Sequence, residues 1–325
     1  MKWRKLGKIF DPAEHALPLG CVEWAQAPQA LVCGDFIRIY FSTRQKDANG
    51  KFLSHIAFVD MSKDLGRVLS VSKRPVVKLG GLGTFDEHGI FPLNVVRDGD
   101  RILGYIGGWS RRIAVPVDGS IGFATSRDGG ETFQKAGPGP ILTASLHEPF
   151  MVGDPFVAWF EGVYHMWYIF GTRWIRNASD ETWEQVYKVA HATSPDGLSW
   201  TKEDGSQIVA DKLGADECQA LPTVARIDGR YHMYFCYREA IGFRTDRNRT
   251  YRIGQVQSDD LKTWSRDDAS VGIDVSAAGW DSDMLCYPHL FSCDSKTYLL
   301  YNGNEFGRRG FGAAVAVDWH TGGDQ

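Results

Sequence analysis

The sequence predicts an all-β chain built from five copies of one four-stranded antiparallel unit, and three observations carry that expectation. A proline-led motif recurs at a steady interval: Pro28, Pro92, Pro155, Pro222 and Pro288 stand 64, 63, 67 and 66 residues apart. A turn signature keeps the same beat, as DMSKDLGRV at 60–68, TSRDGGETF at 125–133, TSPDGLSW at 193–200 and QSDDLKTW at 257–264. No stretch carries a sustained helical period, whereas β-branched and aromatic residues fill short runs bounded by Gly, Asp and Ser.

Each proline opens an apolar strand, from QAPQALVC in the first copy to CYPHLFSC in the fifth. A tight turn follows (CGD, RDGD, FEG, IDG, CDSK), then a second strand rich in Tyr, Ile and Phe. Third strands read SHIAFV, GSIGFAT, YKVAHAT and YRIGQVQ, and the turn signature leads from each to a fourth. The fifth copy runs out early, with 37 residues after Pro288, enough for strands at Thr297–Tyr301 and Phe311–Val317. The segment WRKLGKIF at 3–10 supplies its missing outer strand. Such units cannot bury both faces alone, and stacking them radially around a channel solves this. The expected architecture is one five-bladed β-propeller domain over 1–325, with four-stranded antiparallel blades near 22–78, 86–142, 148–210, 216–275 and 282–318. The strand at 3–10 closes the ring.

The bulk composition narrows the function classes. A net charge of −4 without long basic runs argues against nucleic acid as a partner. No apolar stretch approaches the roughly 18 residues of a membrane span. The start, MKWRKLGKIFDPAEH, has positive charge but no apolar core, so it does not read as a secretory signal. Six cysteines form no CxxC pair, and several sit in apolar strands as small hydrophobes. A reduced, cytoplasmic protein is the simplest expectation, and a mature chain without its leader fits as well. Oligomeric state is not legible.

In a down-up-down-up blade, the start of the first strand and the end of the second share one face, and the loops there line the channel mouth. Glu23, Glu87, Glu217 and Asp283 each precede a proline by five residues. The third copy has Phe150 there and carries Asp154 directly before Pro155. Positions four apart on an extended strand point the same way, so these carboxylates are expected together. The second strands end at Arg44, at Trp109 to Arg112, at Arg173 and Trp174, at Arg238 and Glu239, and at Asn302 to Asn304. Two readings compete: acids and arginines that pair to hold blades together, or a polar binding mouth. Trp109 and Trp174 either pack between blades or stack on sugar rings. His88 and His289 suit acid–base work, metal ligation or a structural hydrogen bond, and Tyr287 lies beside His289 at the mouth. No spacing supports a metal or other cofactor, although an acidic channel would have room for calcium. SRDGGETF fits the Asp-box pattern of sialidases, which marks a turn between outer strands and does not locate catalysis.

The strands GDPFVAWFEGVYHMWY and PTVARIDGRYHMYF resemble those of the five-bladed propeller glycosidases: glycoside hydrolase families 43, 32, 68 and 117, and the mannoside phosphorylases of family 130. The resemblance spans the chain as architecture. It implies three acids: a base or nucleophile Asp in the first blade, an orienting Asp in the third, and an acid Glu in the fourth. Asp154 matches the second of these, while the other two positions hold Ala27 and Ala220. The expectation is therefore a glycan-active enzyme with Glu217 as general acid, Asp154 orienting it, and Glu23 or Glu87 as base. Arg44, Arg111, Arg173 and Arg238 would suit an acidic or phosphorylated sugar. The alternatives are a non-catalytic glycan-binding propeller, or a phosphorylase or glycosyltransferase of surface polysaccharide metabolism.

Overall fold

The computed structural model describes residues 2–317; the expected domain ends at residues 1 and 318–325 lie outside them. The described residues hold twenty strands and four short 3₁₀ turns, with no α-helix. The strands are β1 (Trp3–Phe10), β2 (Gln26–Cys33), β3 (Phe36–Lys46), β4 (Phe52–Ser62), β5 (Val68–Val71), β6 (Gly89–Asp98), β7 (Arg101–Arg111), β8 (Val117–Ser126), β9 (Gln134–Lys135) and β10 (Val152–Phe160). There follow β11 (Val163–Arg176), β12 (Trp183–Ser194), β13 (Thr201–Lys202), β14 (Glu217–Ile227), β15 (Arg230–Glu239), β16 (Arg252–Ser258), β17 (Ser265–Arg266), β18 (Cys286–Cys293), β19 (Lys296–Asn302) and β20 (Phe311–Ala316).

They form four-stranded antiparallel arrays: β10 to β13 make one sheet, β14 to β17 a second, and β18, β19, β20 and β1 a third. The remaining eight strands form two further arrays, β2 to β5 and β6 to β9, joined by one parallel bridge between Ser54 and Gly89. The first strands of successive arrays pack side by side: β2 on β6, β6 on β10, β10 on β14, β14 on β18, and β18 on β2. Between arrays lie the apolar clusters, such as Tyr40, Ile56, Ile90, Leu93, Ile106 and Phe133 between the first two.

Hairpin turns follow the sequence. Glu161-Gly162 and Asp228-Gly229 both have positive φ at the two central positions, +50° and +82° in the first and +50° and +81° in the second. That is the type I′ geometry whose twist matches the flanking strands, and Gly at the second position adopts it freely.

The outer turns are Asx turns. Ser62, Ser126, Ser194 and Ser258 each donate their hydroxyl to the aspartate two residues on, at 2.6, 2.7, 2.9 and 3.0 Å. Backbone amides of Thr263 and Lys262 hold the pKa of Asp260 down to about 2. Tyr40 donates its hydroxyl to the Gly130 carbonyl of the next array at 2.8 Å, and Tyr105 does the same to Gly197 at 3.0 Å. Each is a buried bond tying neighbouring arrays. Tyr40→Phe is expected to lower unfolding free energy by about 1 kcal/mol in a urea titration, with the urea dependence unchanged.

Four arrays repeat a buried ion pair between the first strand's opening residue, or the loop just before it, and the outermost strand. Asp86 meets Lys135 at 2.7 Å, Glu217 meets Arg266 at 2.6 Å, Asp281 meets Lys5 at 2.7 Å, and Glu148 meets Lys202. All four carboxylates are buried. Their cations sit in one local pattern, an aromatic residue two positions ahead: Phe133-Gln-Lys135, Trp200-Thr-Lys202, Trp264-Ser-Arg266 and Trp3-Arg4-Lys5. The last copy places β1 as the outer strand of the array of β18 to β20, as its pairing with β20 requires.

Candidate functional site

Every first strand breaks register at its proline. The breaks fall between Gln26 and Gln29, Ile90 and Leu93, Gly153 and Phe156, Ala220 and Thr223, and Cys286 and His289. At four of them the residue before proline has a left-handed backbone: Ala27 at +50°, Asp154 at +49°, Leu221 at +47° and Tyr287 at +57°. Bulges of this kind re-aim a side chain, and non-glycine residues held there carry strain of about 1–3 kcal/mol each. The re-aimed residues converge. Ala27, Leu221, Phe91 and Tyr287 share one apolar cluster with Ala220, Tyr187, Cys236, Tyr251, Cys286 and Phe306. Asp154 joins them by accepting the Leu221 N–H at 3.3 Å.

Asp154 is the one carboxylate among these five pre-proline positions. Burial pushes its pKa up to about 7, opposed only by the Leu221 amide. Its charge in turn raises the pKa of Tyr187, Tyr287 and Cys236, beyond what their own burial does. Tyr287 packs edge-on against Phe91 at 5.2 Å and Tyr251 at 5.6 Å between ring centres. The cup is thus aromatic, with one carboxyl poised near neutrality.

Two arginines border the cup, and neither has a carboxylate partner among the described residues. Arg44 donates Nε and Nη2 to the Gln26 amide oxygen, at 3.1 and 2.8 Å, beside Trp24 and Phe52. Arg238 is buried, lies 3.4 Å over the Phe243 ring, and donates to the Tyr187 hydroxyl at 2.9 Å and the Glu239 carbonyl at 2.8 Å.

The remaining expected site residues lie elsewhere or are engaged. Glu217 is buried, but its oxygens accept from Arg266, from the Lys212 and Leu213 amides at 2.8 and 2.9 Å, and from Gln219 at 3.0 Å. The bulge at Leu221 intervenes between Glu217 and its proline and interrupts the alternation that would align it with Asp154. Glu23 pairs with Arg308 at 2.9 Å, and Glu87 accepts the Gly83 amide at 2.8 Å with His88 at 3.7 Å. His88 stacks on Trp109 at 6.1 Å and accepts the Arg111 amide. Arg111 pairs with Asp47 at 2.7 Å, Arg112 with Asp118, Arg173 with Asp216, and Glu239 with Arg249 at 3.3 Å. Asn304 accepts the Asp283 amide at 2.8 Å, and Asn302 accepts that of Ala27 at 2.9 Å. Trp174 borders a cavity of about 520 Å³ with Arg111, Arg112, Phe150 and Met151. Among the described residues no three His, Cys, Asp or Glu gather as a metal-binding group, and no helix is long and apolar enough to cross a membrane.

His289 is buried and its pKa is pushed down to about 3 by that burial. Burial also lowers His191 and His232 to about 4. These imidazoles are neutral in the fold, whereas the unfolded chain protonates near pH 6.5. Their contribution is therefore intact above pH 6.5 and is lost as pH falls from there toward 4. Thermal midpoints recorded from pH 7.5 to 4.5 should fall, and His289→Gln should flatten the slope.

No family model matches the chain. Its fold is shared with solved glycoside hydrolases at low identity. A thermostable family-43 glycoside hydrolase aligns at TM-score 0.62 and 14% identity, over 92% of this chain and 90% of that one. The β-1,2-mannobiose phosphorylase of Listeria innocua aligns at TM-score 0.68 and 13% identity, over 97% and 96%. A glycosyl hydrolase of Bacteroides ovatus reaches TM-score 0.68 and 16% identity, over 98% and 93%. In sequence, the proteins MT1551 and Rv1502 of Mycobacterium tuberculosis (strains CDC 1551 / Oshkosh and ATCC 25618 / H37Rv), both described as uncharacterized, are each 35% identical over 321 residues. That match covers 97% of this chain and 99% of theirs. With a glycoside-hydrolase fold and full-length similarity to these two, the chain belongs to the family of MT1551 and Rv1502.

Proposed function

We propose that the protein is a carbohydrate-active enzyme of glycoside-hydrolase type, acting on a glycosidic bond with Asp154 as its proton-transferring carboxyl. The observation that carries this reading is Asp154 itself: a strained, re-aimed carboxyl in an aromatic cup, with a pKa near 7. Efficient general acid–base groups have pKa values near the working pH, and burial is the usual way a carboxyl reaches that range. In this reading Glu217 gives up the general-acid role for a structural one, and Glu23 and Glu87 secure loops at the mouth. Trp174 and its cavity form a glycan-stacking rim with Trp109 and His88. The arrays are the five blades of one propeller domain, closed where β1 joins β20, with the pre-proline residues at the centre of the ring. The cyclic packing of the first strands supports that closure.

The test is a product assay on a broad glycoside panel, with and without phosphate, comparing wild type with Asp154→Asn. Release of a sugar by wild type, abolished in the variant, is the expected outcome; dependence on phosphate would mark phosphorolysis. Glycan binding without product from any substrate would instead make this a binding propeller.

A further inference from the structure

The cup is unbalanced in its polar chemistry. Arg238 is a buried cation and Arg44 a partly buried one, both answered only by neutral oxygens, and removing a guanidinium from water without a counter-ion is costly. For Arg44, burial lowers the pKa and no carboxylate offsets it. Arg238 leaves its Nε without a hydrogen-bond acceptor although the side chain is only 4% exposed. The Tyr187 and Tyr251 hydroxyls lie 2.7 Å apart, so one proton sits between them. Since Arg238 already donates to Tyr187, the pair keeps a second hydroxyl proton with no acceptor among the described residues. Burial holds both phenols in the protonated, donating form. Packing connects the two arginines: Gln26, which holds Arg44, donates its amide to the Phe306 carbonyl at 2.6 Å, and the Phe306 and Tyr287 rings both pack against Tyr251. The donors therefore gather around Tyr251, and the one pre-proline carboxylate enters from the third array.

We propose that this side of the cup binds an oxyanion, a carboxylate of the sugar or a phosphate group, seated on Arg44 and the Arg238-held phenol pair. This rests on the reading of the cup as a glycan site and names the substrate chemistry that site takes. The anion compensates the two guanidiniums, accepts the spare hydroxyl proton, and orients the sugar so that the bond to be broken faces Asp154. A planar carboxylate or a tetrahedral phosphate meets the same donors, through charge-assisted hydrogen bonds.

Calorimetric titration of the whole protein with glucuronate, inorganic phosphate and glucose tests the idea without requiring turnover. Wild type should bind glucuronate or phosphate and not glucose, and which of the two binds identifies the source of the anion. Arg44→Gln, which keeps a polar side chain and removes the charge, should weaken that binding about 10- to 100-fold. Tyr251→Phe should weaken it less, and Asp154→Asn should leave it intact or tighter. Equal binding of glucose and glucuronate, no binding of either anion, or unchanged affinity in a folded Arg44→Gln variant would overturn the proposal. Anion binding without turnover leaves it standing while removing the enzymatic reading, and turnover of a neutral glycan without anion binding does the reverse.

Discussion

Asp154→Asn should lose about 10²- to 10⁴-fold in turnover, the usual contribution of a positioned acid–base group, and at the same time become more stable at alkaline pH. The second half follows from linkage. The folded pKa of about 7 lies above the unfolded value of 3.8. The stabilisation of the protonated form is thus present in full below pH 4 and is lost progressively as pH rises through 7. An asparagine cannot ionise and keeps it. The variant and wild type should therefore unfold alike at pH 4 and diverge by on the order of 4 kcal/mol at pH 8. Differential scanning calorimetry at the two pH values reads the effect. A variant that is inactive but no more stable at pH 8 would mean that Asp154 ionises without strain, and the acid–base role would fail.

Glu217→Ala should do the opposite, destabilising the fold through a buried pair. The Arg266 side chain is 9% exposed and would lose its 2.6 Å partner, keeping Asp268 at 3.1 Å, while the Lys212 and Leu213 amides would lose their acceptor. Removing one member of a buried pair costs about 3–5 kcal/mol when the other charge is left alone, and with Asp268 still beside Arg266 the lower end of that range is expected. Replacing both, as Glu217→Met with Arg266→Met, should recover most of that loss. Thermal melts of the three variants distinguish this from catalysis: a Glu217→Gln protein with full stability and no activity would restore Glu217 as the general acid.

These two residues show how far the sequence is legible. The proline interval and the outer-turn signature locate the repeat, its strand order and the role of WRKLGKIF, because those features are local and set by backbone chemistry. Asp154 stands out because it is the residue directly before its proline. Glu217 groups with it only if the strand alternates faces at every residue, and the bulges at Asp154 and Leu221 break that rule. The buried pairs have a readable signal in the aromatic-x-cation pattern of Phe133-Gln-Lys135 and its copies, which repeats with the four-stranded arrays. The positions of Arg44 and Arg238 at strand ends are readable too, but their lack of a carboxylate depends on which distant acids are already engaged. The contribution of Tyr187 and Tyr251, which lie 64 residues apart, carries no local signature at all.

The pairing of Trp3 with Ala316 has a consequence for biosynthesis. At about 5–20 residues per second, a ribosome needs roughly 15 to 60 s to travel from Trp3 to the strand that pairs with it. Throughout that interval β1 is an open edge with unpaired amides and carbonyls, the template on which strands of other chains can add. Its sequence, WRKLGKIF, carries three cations within eight residues. Charge of that kind on an edge discourages such pairing, so β1 is equipped to wait in solution until its partner emerges.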